Sequence, residues 1–261
     1  MRFPVKFISA TSIALSILLS PSCTKVEERD YYELKIFRYD SASQEKQLDH
    51  YLESAYLPGL HRAGIRNVGV FKMKEDKNET TPSIILLVPF TSLEQFAELS
   101  GKLQNDPIYL EEGAAFFEST HNDPPYKRIE SNLLKAFSST PKLVLPDLSS
   151  PRPERIYELR SYEAATERLF ERKVEMFNSG EVAIFQRLGF NPVFFGEVIS
   201  SSHMPHLMYM TTFADTSSQK ECWEAFRTDP AWMEMKEMEQ YQNTVSHIDR
   251  YLLYPTSYSD Y

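Results

Sequence analysis

The sequence predicts an α+β protein that consists of two consecutive units with the same order of strands and helices. The tripeptide Tyr32-Glu33-Leu34 recurs as Tyr157-Glu158-Leu159, 125 residues later. Four further matches follow in the same order at offsets between 119 and 125. Residues 138–154, with four prolines and four serines, separate the two sets, and this composition opposes helix and sheet. The further matches are Gly64 with Gly189, Phe90 with Phe213, Asp106-Pro107 with Asp229-Pro230, and Leu133-Leu134 with Leu252-Leu253.

Each unit opens with a predicted strand and continues with an amphipathic helix. Residues 31–39 and 155–162 are rich in Tyr, Ile, Leu and Phe, which favour strands. Apolar residues then recur at steps of three and four, which places them on one face of a helix. Gly64 and Gly189 follow at the position where a left-handed residue ends a helix. The apolar helix residues are Leu48, Leu52, Ala55 and Tyr56 in the first unit, and Leu169, Phe170, Val174 and Phe177 in the second.

The rest of each unit is predicted to contain two strands, a helix, a short helix and a closing strand. The short helix begins at each Asp-Pro pair, since Asp is a good N-cap and Pro fits the first helical position. The other elements, in chain order, are 68–72, 84–90, 92–102 and 128–137 in the first unit, and 192–198, 207–213, 217–227 and 247–254 in the second.

The order βαββαβ is the ferredoxin-like arrangement, in which helices cover one face of a four-stranded sheet. The other face is apolar and needs a cover. Two tandem ferredoxin-like repeats in one chain can cover each other, so we expect a single-chain dimeric α+β barrel. The predicted domains are a signal peptide (1–22), a lipid-anchored tether (23–30), the first repeat (31–137), a linker (138–154), the second repeat (155–254) and a tail (255–261).

The first 22 residues are predicted to be a secretory signal. Arg2 and Lys6 precede an apolar run from Phe7 to Leu19, which is too short for a spanning helix of about 20 residues. Cys23 stands where bacterial lipoproteins carry their lipidated cysteine, and the segment resembles a relaxed lipoprotein signal. We therefore expect an exported protein of the bacterial cell envelope, attached to a membrane by a lipid on Cys23. A plain signal peptide with an incidental cysteine, or an uncleaved helix, is the alternative.

Composition disfavours several classes of function. The chain has 28 basic and 37 acidic residues and a net charge of −9, without the clustered Lys and Arg that nucleic-acid binding needs. Phosphate-binding glycine loops and the zinc-protease, serine-hydrolase and Cys-x-x-Cys motifs are missing from the sequence. His203 and His206 lack a third ligand at a recognisable spacing. The sequence therefore predicts no metal site, no cofactor and no nucleic-acid partner.

The second repeat resembles the NIPSNAP family. The residues that carry the resemblance are the opening strand 155–162 (RIYELRSY), the His206-Leu207-Met208-Tyr209 strand and the Asp229-Pro230-Ala231-Trp232 segment. The resemblance covers about residues 153–254, with a divergent counterpart over 30–137. It implies a fold of the dimeric α+β barrel superfamily, which includes small monooxygenases, isomerases and haem-handling enzymes. It implies no particular reaction, and whether the chain is an enzyme stays open.

His206 is the candidate catalytic residue, because a neutral imidazole at the start of a strand can act as a base or bind a ligand. The alternative is a histidine that is hydrogen-bonded at the mouth of the sheet. Strand alternation places Glu158 and Arg160 on one face. We expect an ion pair there, and binding of a polar substrate group is the alternative. The candidate ligand-binding residues are Tyr157, Arg160, Met208 and Trp223.

The predicted function is the binding of a small apolar or aromatic ligand in a pocket between the sheet and helices of the second repeat, around His206. One alternative is an enzyme of the barrel superfamily, a cofactor-independent oxygenase or an isomerase, with His206 as base. Another is an interaction scaffold of the cell envelope that binds no small ligand. Further association of the barrels is compatible with each of these functions.

Overall fold

The computed structural model describes residues 28–74 and 81–261. The predicted signal peptide, Cys23 and most of the predicted tether lie outside these residues. Within them, no helix is long and apolar enough to cross a bilayer.

The first half of the chain begins with a strand and ends with a strand, and three of its helices start at polar caps. The side chains of Ser41 and Ser92 accept hydrogen bonds from backbone N–H groups of the first helical turn, as N-cap residues do. Asp106 caps the short helix that starts at Pro107. The elements are β1 (Tyr31–Arg38), α1 (Ala42–Tyr51), α2 (Leu57–Arg62), β2 (Gly69–Met73), β3 (Ser83–Phe90), α3 (Leu93–Gln104), α4 (Pro107–Glu112), α5 (Ala114–Phe117) and β4 (Arg128–Ala136).

The second half repeats this order with its own caps. Thr166, Asp215 and Asp229 accept from the N-termini of their helices. Short 3-10 turns precede the first strand (Arg152–Glu154) and the last strand (Glu239–Tyr241). The elements are β5 (Ile156–Glu163), α6 (Glu167–Met176), α7 (Val182–Arg187), β6 (Pro192–Ser200), β7 (His206–Phe213), α8 (Thr216–Thr228), α9 (Pro230–Glu237) and β8 (His247–Pro255).

A π-helical turn interrupts the first helix of each half. It spans Leu52–Tyr56 between α1 and α2, and Phe177–Glu181 between α6 and α7. The two turns lie 125 residues apart, the same offset as the tripeptide repeat of the sequence. Each ends on a buried residue that carries a polar group, Tyr56 or Glu181. Single π-helical turns are frequent at functional sites.

The described strands form one closed barrel in the order β1-β3-β2-β8-β5-β7-β6-β4. Each half contributes four adjacent antiparallel strands. Two antiparallel seams join the halves, β2 with β8 and β4 with β6. Because all neighbours are antiparallel, β1 and β5 run in the same direction and lie on opposite sides of the barrel.

The alternation of side chains along the strands divides the apolar residues into an interior and two outer layers. The interior contains residues of both halves, such as Leu34, Tyr157 and Met208. One outer layer lies between the helices and strands of the first half, around Leu52. The other outer layer, around Phe185, lies between the helices and strands of the second half and is rich in aromatic rings. Strands β3 and β7 are therefore buried on both faces, which explains their long apolar runs.

The structure confirms the α+β class, and each predicted strand and each of the two longer predicted helices agrees with an observed element to within two residues at either end. Gly64 and Gly189 have φ values of 87° and 81°, as the helix-end interpretation requires. The π-helical turns were not predicted. The segment named as a tail is part of the core, since Tyr261 is buried in the barrel interior and the backbone of Asp260 bonds to Val68.

Candidate functional site

His206 begins β7 and is only 3% exposed. Its Nδ1 lies 2.8 Å from the Ser161 hydroxyl, and its Nε2 lies 2.8 Å from the Ser201 hydroxyl. Burial, with a smaller contribution from His203, lowers the pKa of His206 to about 4. The imidazole is thus neutral at pH 7, with both nitrogens engaged by hydroxyl groups.

Two of the predicted ligand-binding residues, Tyr157 and Met208, point into the barrel interior. Strand alternation places His206 on the same face as Met208. Tyr157 pairs with Thr212 and His206 with Glu163, so the two lie at opposite ends of the β5–β7 pair, about 20 Å apart at the usual rise per residue. The Tyr157 hydroxyl is buried without a hydrogen-bond partner among the described residues.

The other two lie on the opposite side of the barrel wall, where Arg160 on β5 faces Trp223 on α8. The guanidinium of Arg160 donates from Nε to Glu158 Oε1 at 2.7 Å and lies 3.8 Å from the centre of the Trp223 ring. Trp223 Nε1 and Gln219 Nε2 each donate to Glu158 Oε2 at 2.7 Å. The expected ion pair is confirmed, and the fully buried Glu158 carboxylate accepts from three side chains.

A second buried ion pair lies in the same layer. Lys173 Nζ on α6 donates to Glu181 Oε2 at 2.7 Å, and both side chains are at most 6% exposed. Two tyrosines lie between the pairs: Arg160 Nη1 donates to the Tyr162 hydroxyl at 3.2 Å, which lies 2.8 Å from the Tyr209 hydroxyl, and Lys173 Nζ lies 5.6 Å from the centre of the Tyr162 ring. Burial raises the pKa of Glu181, while Lys173 and Arg160 act against that rise.

Aromatic rings surround these charged groups. Lys173 Nζ lies 4.5 Å from the Phe177 ring centre and 5.5 Å from that of Trp232. Both distances permit a cation–π interaction, which strengthens when the groups are desolvated. We call the layer that contains Glu158, Arg160, Tyr162, Lys173, Glu181, Tyr209 and Trp223 the charged aromatic layer.

The first half has a related but simpler arrangement at the positions 125 residues earlier. Lys35 replaces Arg160, Glu33 replaces Glu158, and Tyr56 takes the place of Glu181. Lys35 Nζ donates to the Tyr56 hydroxyl at 3.0 Å and lies 3.6 Å from Glu33. The arrangement thus holds one ion pair where the second half holds two.

A surface pocket of about 480 Å³ lies beside the charged aromatic layer. It is lined by Leu169, Arg172, Glu239, Gln240 and Gln242. Arg172, the neighbour of Lys173 on α6, donates to the backbone carbonyl of Gln240. Among the described residues, no group of His, Cys, Asp and Glu side chains could hold a metal ion.

The structure therefore divides the residues that the sequence singled out. Arg160 and Trp223 are together; Tyr157, Met208 and His206 line the other face of the wall. The prediction that one pocket contains His206 and the helices of the second half is wrong, because the sheet lies between them.

Sequence reasoning missed Lys173, Glu181, Gln219, Tyr162 and Tyr209. Lys173 and Glu181 are eight residues apart, and only the π-helical turn brings them to one side. Gln219 could have been found, since it precedes Trp223 by one helical turn.

Comparison with known proteins identifies both the fold and a family. The NIPSNAP family model matches residues 157–260. No curated protein matches the chain. A candidate monooxygenase from Fusobacterium nucleatum is 8% identical, with a TM-score of 0.57 over 88% of this chain and 93% of that one.

Two further solved structures are similar in the same way. A candidate monooxygenase from Lactobacillus acidophilus is 8% identical over 87% of this chain and 94% of its own, with a TM-score of 0.55. An anthrone oxidase-like protein is 10% identical over 88% and 92%, with a TM-score of 0.52. At such identities the likeness shows the fold alone. The resemblance of the second half to the NIPSNAP family is confirmed by the family model over residues 157–260, which is less than half of the chain.

Proposed function

We propose that this chain is an exported, lipid-anchored protein whose second half binds a small aromatic ligand in the charged aromatic layer. The observation that supports this most is the presence of two buried ion pairs, Glu158–Arg160 and Lys173–Glu181, in one layer. Removing charges from water costs several kcal/mol per ion. Buried groups with a shifted pKa, such as Glu181, cluster at functional sites. A purely structural layer is more economically filled with apolar side chains, as most of the barrel interior is.

An aromatic ligand suits the walls of this layer. Trp223, Phe177 and Trp232 present ring faces to the two cations. Helix α9, which carries Trp232, has no buried residue. Elements with few buried contacts open at the lowest cost in free energy. We infer that α9 moves aside to admit the ligand from the pocket beside Arg172.

An enzyme of the barrel superfamily is the second candidate, and the similarity of the fold to candidate monooxygenases favours it. His206 as the base suits it less well. A histidine with a pKa of about 4 binds protons weakly at pH 7, and its nitrogens already bond to Ser161 and Ser201. A scaffold without a small ligand would leave the buried charges without a role.

We also propose that the two halves are tandem ferredoxin-like repeats of duplicated origin, which act as a single-chain pseudo-dimer. The matching order of elements, the two seams and the two π-helical turns 125 residues apart support this. In this proposal the first half is a cover for the second, since it holds the simpler arrangement around Lys35.

Export and lipid attachment rest on the sequence of residues 1–23. The test is a Cys23→Ala variant, with metabolic labelling by a fatty acid as readout. The proposal predicts that label and membrane partitioning are both lost in the variant. A variant that still partitions into membranes would refute attachment through Cys23.

Ligand binding can be tested with the chain's own fluorescence. The only two tryptophans of the sequence, Trp223 and Trp232, both adjoin the charged aromatic layer. We expect 2-naphthol to quench their emission saturably, and a Trp232→Phe variant to retain the Trp223 part of the signal. Quenching that rises linearly with 2-naphthol, without saturation, would contradict the proposal.

A further inference from the structure

Arg160 has hydrogen-bonding capacity that the protein leaves unused. A guanidinium carries five N–H donors in a rigid fork. In the described residues, the bonds of Arg160 engage Nε and Nη2 with Glu158 and Nη1 with Tyr162. One N–H on each terminal nitrogen is left over. When Tyr162 accepts from the Nη1 N–H on the Cδ side, these two are parallel and form the end of the fork; the side chain is only 15% exposed.

The carboxylate that would normally satisfy such a fork is already committed elsewhere. Glu158 accepts from Arg160 through one oxygen and from Gln219 and Trp223 through the other. Glu181 is held by Lys173. No further carboxylate in the described part of the chain forms an ion pair with Arg160. The open end of the fork therefore suits an acceptor that comes from outside the chain.

The shape of the surroundings restricts that acceptor to a flat group. One face of the guanidinium is covered by the Trp223 ring at 3.8 Å. A group that binds both terminal N–H donors in the plane of the fork needs two oxygens side by side, as a carboxylate has. Lys173, whose ammonium has a third donor beyond its contacts with Glu181 and Met176, adds positive charge nearby.

We propose that the ligand of the charged aromatic layer is an aromatic carboxylate, bound through its two oxygens by the end of the Arg160 fork. This inference rests on the proposed function and specifies its ligand. Lys173 Nζ lies only 4.5 Å and 5.5 Å from the ring centres of Phe177 and Trp232, so the aromatic ring of the ligand takes the place that opens beside Trp232 when α9 moves aside. The mouth of the pocket does not select for charge, since Arg172 and Glu239 carry opposite signs there. Selectivity resides at Arg160.

The test compares three probes of nearly the same shape and different charge: benzoate, benzamide and benzamidine. Quenching of Trp223 and Trp232 emission gives the dissociation constant of each. We expect benzoate to bind about tenfold more tightly than benzamide, the gain typical of one added charge-assisted contact, and benzamidine to bind most weakly. Benzamide or benzamidine binding as tightly as benzoate would overturn the inference.

Two variants test the role of the fork. Arg160→Lys keeps the charge and the ion pair but cannot form two parallel bonds, so we expect the preference for benzoate over benzamide to fall to about twofold or less. Arg160→Gln removes the charge as well, and Lys35→Gln is its matched control at the equivalent position of the first half. We expect Lys35→Gln to leave the preference unchanged. If Arg160→Gln does not fold, the benzoate preference of Arg160→Lys still tests the role of the fork.

The outcomes separate this inference from the proposed function. If 2-naphthol binds saturably and benzoate binds no more tightly than benzamide, the inference of a carboxylate ligand is wrong, whereas the proposed aromatic site is retained. If neither 2-naphthol nor any of the three probes binds saturably, the aromatic site itself is overturned. An unchanged benzoate preference in Arg160→Lys would also overturn the assignment to the fork.

Discussion

At the scale of single residues, the most informative feature is the contrast between buried polar groups that have hydrogen-bond partners and those that have none. Glu158 accepts from three side chains, whereas the hydroxyls of Tyr32, Tyr157 and Tyr261 have no partner among the described residues. Removing a buried hydroxyl that forms a hydrogen bond lowers the free energy of unfolding, because its partner is left unpaired. Removing a buried hydroxyl that has no partner does not. The two classes therefore predict opposite results of substitution.

Tyr209→Phe and Tyr157→Phe form a matched pair for this contrast. Both hydroxyls are fully buried, but only Tyr209 bonds to another side chain, Tyr162 at 2.8 Å. We expect Tyr209→Phe to lower the free energy of unfolding by about 1 kcal/mol, and Tyr157→Phe to leave it unchanged or raise it. Urea unfolding measures both. A larger loss in Tyr157→Phe than in Tyr209→Phe would contradict this interpretation.

His206 should make stability depend on pH. Burial lowers its pKa from 6.5 to about 4. Between these two pH values the unfolded chain binds a proton at this histidine and the folded chain does not. Stability is therefore full above about pH 6.5 and falls as the pH is lowered towards 4. Between pH 7.5 and 5 we expect the wild type to lose about 2 kcal/mol more than His206→Gln. Equal losses in the two proteins, by urea unfolding at both pH values, would refute the buried neutral histidine.

At the scale of elements, sequence patterns predicted those features that local physics decides. Gly64 and Gly189 follow helices and have the positive φ that the helix end requires. The aspartates before Pro107 and Pro230 cap their helices as expected. The π-helical turns escaped prediction because apolar periodicity is nearly the same in both kinds of helix. The ion pair of Lys173 with Glu181 depends on such a turn, so it was not predicted either.

Two glycines offer a direct test of this local reasoning. A methyl group added at Gly64 or at Gly101 meets no atom within 4 Å, so packing plays no part in either case. Gly64 has a φ of 87°, whereas Gly101 lies inside helix α3. We expect Gly64→Ala to destabilise by about 1–2 kcal/mol and Gly101→Ala to stabilise by about 0.5–1 kcal/mol. Thermal unfolding shows the result, and shifts of the same sign would contradict it.

At the scale of the whole molecule, the barrel interior belongs to both halves. Its residues come from strands of each half, and Tyr261 closes it after the last strand. Neither half can bury its inner sheet face alone, so we expect a single unfolding transition. Trp223 and Trp232 report only on the second half, whereas far-ultraviolet circular dichroism reports on both. The two signals should change together in urea, and separate midpoints would show that the halves fold independently.

The repeats in the sequence were enough to predict the element order, because each match marks the same place in two copies of one pattern. They could not separate Tyr157 from Arg160 as parts of different sites. Strand alternation assigned them to opposite faces, but only the closed barrel shows that one face is an interior and the other lies beneath α8. His206 was grouped with Trp223 for the same reason. The binding of an aromatic ligand stays a prediction.

The central claim is that an aromatic ligand binds between the barrel wall and the helices of the second half. The most direct measurement is a crystal structure of the protein soaked with benzoate and, separately, with 2-naphthol. The account predicts density for an aromatic ring beside Trp232 on the helix side of the barrel wall, with the benzoate oxygens within hydrogen-bonding distance of the terminal nitrogens of Arg160. Ligand density confined to the barrel interior or to the first half, with the surroundings of Arg160 unchanged, would contradict it.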